Sequence, residues 1–153
     1  MTPSVTHHTF TIERTYAAAP ARVFRAFEDP RLKRQWFVDG EGWQVEEYSS
    51  DFRVGGREFS RFRFNGGEEM TNDTVYHDIV PNHRIVIAYM MTIGGKCISS
   101  SLATMEFKPA GSGTTLVFTE HDAFLDGADH PKEREEGTRE LLDKLGEVVE
   151  RPA

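Results

Sequence analysis

The sequence predicts an α+β protein in which a curled antiparallel sheet grips a long C-terminal helix. From Trp43 to Glu120, short extended segments follow one another through tight turns with no helix between them. Such a series demands an antiparallel meander rather than a parallel sheet. From Asp129 to Arg151, apolar residues recur at helical spacing. A twisted meander has an apolar face to cover, and this helix is the only predicted element large enough to cover it.

Length and composition limit the class of protein. At 153 residues, the chain is expected to form one domain over 1–153, with an ordered core from about residue 9 to residue 150. A chain of this size buries roughly 70% of its unfolded surface, which allows a core and a modest cavity. The net charge of −7 argues against a nucleic-acid partner, because phosphate binding needs a basic face. With Cys97 as the single cysteine, no internal disulfide is possible, and a cytoplasmic location is expected.

Several kinds of site are not expected. No apolar run is long enough to span a membrane, and the N-terminal MTPSVTHH lacks the apolar core of a signal peptide. The six histidines show no HxxxH or HExxH spacing, so no metal site is predicted. Gly55-Gly56 lacks the following Lys-Ser or Lys-Thr of a phosphate loop and is interpreted as a bulge or turn. No cofactor is therefore predicted.

The N-terminal segment is predicted to contain one strand and two short helices. Residues 10–16 alternate apolar and polar side chains, which indicates a strand with one buried face. Ala19-Pro20 begins a helix and Asp29-Pro30 ends it. A second short helix follows, with Leu32 and Trp36 on its inner side.

The meander is divided by its turns. The predicted extended segments are 43–48, 52–54, 59–64, 74–79, 85–93, 99–107 and 114–120. Gly94-Gly95 predicts a tight hairpin. Alternation in the last strand turns Phe118 and Glu120 inward, and the same logic turns Ser101 inward in the strand before it. Tyr89 and His77 also fall on apolar faces of their strands.

The C-terminal helix is predicted to change character along its length. Pro131 suits a first helical position, where its missing N–H costs nothing. The apolar stripe consists of Leu141, Leu142, Leu145, Val148 and Val149. Extended toward the N-terminus, the stripe reaches Thr138, Gly137 and Arg134, which are small or polar. Because the side chains of this helix are bulky at its C-terminal end and small at its N-terminal end, the N-terminal end fills the groove of the sheet poorly. We therefore expect a cavity near Gly137.

Short motifs recur along the chain in a recognisable order. They are Pro20-Ala21-x-Val23-Phe24, Asp29-Pro30, Asp51-x-Arg53-x-Gly55-Gly56, Ile79-x-Pro81, Thr104-x-Glu106-Phe107 and Gly113-Thr114-x-Leu116. With them, the chain resembles the START-like (SRPBCC) superfamily from about Phe10 to Val149. Within it, the chain resembles the family named after the C-terminal domain of the activator of heat-shock protein 90 ATPase. Many members carry Gly-Trp in the last helix, where this chain has Gly137-Thr138, a change that should enlarge the cavity or alter its mouth.

The resemblance implies a helix-grip fold with a hydrophobic cavity between sheet and helix. Across the superfamily this cavity holds lipids, steroids, polyketides or other apolar molecules. We therefore expect the chain to bind a small hydrophobic or aromatic ligand, as apolar pockets do. The residues expected to line the site are Trp36, Trp43, Phe62, Phe64, His77, Tyr89, Ser101, Phe118, Glu120, Phe124, Gly137, Thr138 and Leu141. The aromatic residues among them also suit ordinary core positions.

A second hypothesis is an enzyme of the cyclase or hydratase type that uses His77 with Glu120 or Tyr89. A neutral imidazole facing a cavity can act as a general base, and a partly buried carboxyl with a raised pKa can act as an acid. The competing interpretation makes His77 a core histidine bonded to a neighbour. Glu120 would then be a strand-end carboxylate paired with Arg61, Arg63 or solvent.

A third hypothesis is a protein-interaction module of the co-chaperone type. The namesake co-chaperone has a further N-terminal domain that this sequence lacks, so a chaperone partner is not expected and the hypothesis rests on analogy of fold. Such a module needs an exposed apolar patch and tolerates a filled cavity. A homodimer through an edge strand is compatible with the predicted sheet.

Overall fold

The computed structural model describes residues 2–152. Its elements are β1 (Val5–Tyr16), α1 (Pro20–Glu28), α2 (Pro30–Lys33) with a π-helical turn (Arg34–Val38), β2 (Trp43–Ser50), β3 (Arg57–Phe64), β4 (Met70–Val80), β5 (Arg84–Ile93), β6 (Lys96–Ala110), β7 (Gly113–Leu125) and α3 (Pro131–Val149). Over these residues, no helix is both long enough and apolar enough to cross a membrane.

The strands form one antiparallel seven-stranded sheet in the order β1-β7-β6-β5-β4-β3-β2. The predicted α+β helix-grip fold is therefore confirmed. Helices α1 and α2 carry the chain from β1 at one edge to β2 at the other. Strand β1 pairs with β7 from Val5 opposite Leu125 to Tyr16 opposite Thr114, so it begins earlier than the ordered core expected from residue 9. Gly94 and Gly95 both have positive φ and form the predicted hairpin turn between β5 and β6.

The C-terminal half of α3 closes the core. Leu142, Leu145 and Val149 of its apolar stripe are buried. The Tyr16 hydroxyl donates a 2.7 Å hydrogen bond to the Leu142 carbonyl, which ties α3 to β1. Gly146 lies against the Tyr16 ring so closely that an added Cβ would be 3.1 Å from a ring carbon. The C-terminal half of α3 therefore packs directly on the core, whereas the N-terminal half lies farther from the sheet.

His77 lies on the outer face of the sheet, and a β-bulge in β4 separates it from the inward-facing Ile79. The register shifts between Tyr76 and Asp78, which makes His77 the extra residue. Tyr76 is buried on the inner face, whereas Val75 and His77 are exposed on the outer face. The inward placement of His77 was therefore wrong. Alternation of Val75, His77 and Ile79 suggested one continuous face, but the bulge resets the face before Ile79, which packs against the core.

Residues 51–56 form a tight turn rather than the extended segment predicted at 52–54. Gly55 has a φ of +82°, and a Cβ on Gly56 would lie 2.0 Å from a backbone oxygen. The turn is held to β4 by hydrogen bonds from Gly55 N to Tyr76 O (2.8 Å) and from Tyr76 N to Gly56 O (3.0 Å). This arrangement brings the Phe52 ring edge-on against Tyr76, at 5.0 Å between centroids.

Candidate ligand-binding cavity

A cavity of about 680 Å³ lies between the inner face of the sheet and the N-terminal half of α3. Its apolar lining includes Trp36, Phe37, Phe62, Met91, Ile93 and Phe118. Trp43, Ala128, His130, Glu133 and Glu140 also line it and are exposed to solvent, so they mark its opening beside the start of α3. The volume falls in the range of small-molecule sites.

The cavity lies where α3 carries small side chains. Gly137 is on the wall, and a Cβ built there would meet no atom within 4 Å. Thr138 turns its hydroxyl back to the Arg134 carbonyl at 2.9 Å, as helical threonines often do. Leu141 and Leu142 follow on the wall, and beyond them the bulky stripe closes the groove.

Most of the side chains predicted for the site lie on this wall. They are Trp36, Trp43, Phe62, Tyr89, Phe118, Glu120, Gly137, Thr138 and Leu141. Phe64 is instead 47% exposed at the end of β3 and packs outside the cavity on Trp43. Ser101 and Phe124 face inward as predicted, but Arg134 covers them and separates them from the cavity. His77 lies on the opposite face of the sheet.

Glu120 is held at the cavity wall by a short hydrogen-bond chain. It is 1% exposed, and its Oε1 accepts a 2.8 Å hydrogen bond from the Tyr89 hydroxyl. The same hydroxyl accepts a 3.0 Å hydrogen bond from Arg134 Nη1. Burial, and then the neighbouring Asp122 carboxyl, raise the pKa of Glu120 to about 9 despite Tyr89 and Arg134. The Glu120 carboxyl therefore keeps its proton at neutral pH.

Arg134 lines the cavity, and sequence reasoning did not assign it to the site. Its guanidinium donates to Tyr89, Ser99 and Asp129 and lies over the Phe124 ring at 5.2 Å. Its position on the helical stripe was visible, three residues before Gly137. A buried arginine on that stripe requires buried acceptors on the sheet opposite, and Tyr89 and Ser99 supply them.

The partners expected for Glu120 were the wrong ones. Arg61 and Arg63 lie on the outer face of β3, because they alternate with the inward residues of that strand. Arg61 Nη1 is 3.0 Å from Glu47 Oε1, and Arg63 Nε is 2.6 Å from Glu46 Oε1. Cross-strand pairing with β2 holds both guanidinium groups away from the cavity.

A second charged cluster lines the cavity between α2 and β3. Lys33 Nζ lies 3.0 Å from Glu58 Oε1 and 2.8 Å from Oε2. The hydroxyls of Tyr48 and Tyr76 also donate to Glu58 Oε1, at 3.2 and 2.9 Å. Lys33 lies 4.7 Å from the centre of the Phe37 ring. Sequence reasoning missed this cluster, although strand alternation places Glu58 on the face of Phe62.

A row of polar side chains crosses the inner face of the sheet and joins the two clusters. In register, Glu58 lies opposite Thr74, Thr74 opposite Tyr89, Tyr89 opposite Ser101, and Ser101 opposite Asp122. Such neighbours are close enough to interact across strands. The cavity thus has a polar strip along the sheet and apolar walls around it. Within residues 2–152, no group of three or more His, Cys, Asp or Glu side chains is placed to hold a metal ion.

Comparisons with known proteins extend over nearly the whole chain. The family described as Activator of Hsp90 ATPase homolog 1-like protein matches residues 17–150. Mll3558 from Rhizobium loti is 54% identical, covering 95% of this chain and 99% of its own, with a TM-score of 0.88. An uncharacterized protein from Rhizobium leguminosarum is 43% identical, covering 99% and 100%, with a TM-score of 0.94. CalU16 from Micromonospora echinospora shares the fold alone, at 21% identity over 97% and 87% and a TM-score of 0.64. No curated protein matches the sequence.

Proposed function

The chain belongs to the family of Activator of Hsp90 ATPase homolog 1-like proteins, and from this premise we propose that it binds a small hydrophobic or aromatic molecule between the sheet and α3. Proteins of this START-like type commonly bind hydrophobic ligands. The observation that carries the proposal is the cavity of about 680 Å³, which opens to solvent beside the start of α3. Gly137 also supports the proposal, because a Cβ atom added to it would point into open space.

The lining favours a particular kind of ligand. Aromatic side chains such as Trp36 and Phe62 offer flat apolar contact, which suits ring systems. The polar strip offers hydrogen bonds to a ligand only along the side of the cavity that the sheet forms. The Lys33–Glu58 pair compensates its own charge and so attracts no net charge from a ligand. We expect an apolar or aromatic body with one or more oxygen atoms along one edge.

Native mass spectrometry of the protein as purified from cells, followed by solvent extraction, tests the proposal. Trp36 and Trp43 are the chain's two tryptophans, and both line the cavity. A titration with N-phenyl-1-naphthylamine should therefore change tryptophan emission saturably, at one molecule per chain. A clean unliganded mass, with no saturable change for this dye or for a panel of apolar compounds, would contradict ligand binding and favour the protein-interaction hypothesis.

One observation favours a second candidate, an acid–base enzyme of the cyclase or hydratase type. Such an enzyme needs two titratable groups near one point of the cavity, and Tyr89 and Glu120 are joined by a 2.8 Å hydrogen bond on its wall. His77 takes no part, because it lies on the outer face. Incubating the extracted molecule with wild-type protein and with Glu120→Gln tests this candidate. Conversion by wild type alone would support catalysis, and no conversion by either would leave binding as the function.

A further inference from the structure

Two buried carboxyl groups lie next to each other at the cavity wall. Glu120 and Asp122 are two residues apart on β7 and therefore share a face of the sheet. Their side chains are 1% and 0% exposed. Each has one oxygen with a donor, since Tyr89 donates to Glu120 Oε1 at 2.8 Å and Ser101 donates to Asp122 Oδ1 at 2.5 Å.

The other oxygen of each carboxyl has no donor. Among residues 2–152, Glu120 Oε2 and Asp122 Oδ2 are buried side-chain atoms without a hydrogen-bond partner. Arg134 Nη1 lies 3.8 Å from Glu120 Oε2, beyond hydrogen-bond distance. The two oxygens expose no surface to solvent or to the cavity, so neither solvent nor a cavity ligand can reach them directly. Leaving such acceptors unpaired is costly, and more costly when they are charged.

The charges around Arg134 are unbalanced as well. This one cation is placed among the carboxyls of Glu120, Asp122 and Asp129, within 3.8, 3.7 and 2.5 Å of an oxygen of each. If all three carboxyls were ionised, two negative charges would lack a compensating partner inside the cluster. Neighbouring buried carboxylates relieve such repulsion by keeping a proton.

We propose that Glu120 and Asp122 share one proton at neutral pH, held between Glu120 Oε2 and Asp122 Oδ2. A single proton satisfies both oxygens, because the protonated carboxyl donates and the ionised one accepts. It also removes one of the two excess negative charges. The direction of the Glu120 pKa, raised by burial and by Asp122, agrees with this arrangement.

The shared proton gives the cavity wall an acid and a base in adjacent positions. Glu120 lines the cavity, whereas Asp122 lies behind it. The Tyr89 hydroxyl, which donates to Glu120 Oε1, links the pair to the cavity. The Tyr89 hydroxyl and the Glu120 carboxyl then separate the shared proton from a carbonyl or hydroxyl oxygen of a bound molecule that contacts Tyr89. That use of the pair rests on the proposed function, whereas the shared proton itself exists with or without a ligand.

Infrared spectroscopy of the unliganded full chain at pH 7 tests the proposal. The wild-type spectrum should contain the C=O stretch of one protonated carboxyl. Glu120→Gln should abolish it, because the new amide N–H donates to the Asp122 carboxylate and no proton is needed. Asp122→Asn should keep the band but shift its frequency, because burial still raises the pKa of Glu120 while an amide replaces the carboxylate that accepts its proton. Glu13→Gln, at an exposed position of β1, should leave it unchanged. Absence of the band from wild type, its survival in Glu120→Gln, or an unchanged frequency in Asp122→Asn would overturn the proposal.

A proton count provides a measurement that needs no variant. Unfolding the wild-type chain with urea at pH 7 in weak buffer should release about one proton, because the pair keeps a proton that separate carboxyls lose. No release would overturn the shared proton. The absence of proton release would not contradict the ligand proposal, because a dye can occupy the cavity whether or not the pair is protonated.

Discussion

The ammonium of Lys33 lies 2.8 Å from Glu58 Oε2, and both side chains are almost fully buried. Glu58 also accepts hydrogen bonds from Tyr48 and Tyr76, so its charge is surrounded by donors. The pair joins α2 to β3 across residues 25 apart in sequence. It therefore fixes α2, and with it the π-helical turn that carries Trp36 and Phe37, against the sheet at the cavity wall.

Removing the cation alone should be strongly destabilising. In Lys33→Met, the Glu58 carboxylate stays buried without its counter-ion, which costs about 3–5 kcal/mol of unfolding free energy. The double variant Lys33→Met/Glu58→Gln should recover most of the loss, since a neutral amide still accepts from both tyrosines. Urea denaturation of wild type, the single variant and the double variant measures their unfolding free energies. Lys132→Met, at an exposed position of α3, is the control and should change stability by no more than about 0.5 kcal/mol. A loss in the double variant as large as in the single one would contradict this account.

Stability should depend on pH through Glu120. Its pKa rises from 4.5 to about 9 on folding, so the folded chain binds more protons than the unfolded chain between these values. The contribution to stability is complete below the unfolded pKa and is lost as the pH rises through the folded pKa. The unfolding free energy of wild type relative to Glu120→Gln should fall with rising pH, by up to about 1.4 kcal/mol per pH unit. Denaturant titrations from pH 6 to pH 9 measure the slope, and parallel curves for the two proteins would contradict the raised pKa.

Filling the cavity at Gly137 should abolish ligand binding without unfolding the chain. An indole at this position would project into open space on the wall, as the unobstructed Cβ direction indicates. Gly137→Ala is the matched control, which should retain binding and raise the unfolding free energy by about 1 kcal/mol through helix propensity. Calorimetric titration with N-phenyl-1-naphthylamine compares the two. Undiminished affinity in Gly137→Trp would mean that the ligand binds elsewhere.

Replacing His77 should have little effect. Because its side chain is exposed on the outer face, His77→Leu should change the unfolding free energy by less than about 0.5 kcal/mol and leave dye affinity as in wild type. Thermal and urea unfolding together with the dye titration provide the measurements. A stability change beyond about 1 kcal/mol, or loss of binding, would show that the imidazole makes contacts on the inner face after all.

Local patterns predicted much of the fold and part of the site. Alternation placed Phe118 and Glu120 inward on β7, and small residues on α3 indicated where a cavity would open. These inferences held because each depends on neighbours within one strand or one helix. The same alternation failed at His77, because a single extra residue in β4 puts Ile79 on the inner face while Val75 and His77 lie on the outer one. A bulge changes pairing with the adjacent strand, and the strand's own sequence carries little sign of it.

The sequence by itself determined the order of elements, the antiparallel sheet, the long covering helix and the small-residue stretch around Gly137. Periodicity, turn residues and side-chain size express these features locally. Only the tertiary structure decided which charges meet, because strand register and helix placement set those contacts. It joined Lys33 to Glu58 and brought Arg134 of α3 over Tyr89 and Glu120 of two separate strands. A buried charge is tolerated only with a partner, and that partner comes from another part of the chain.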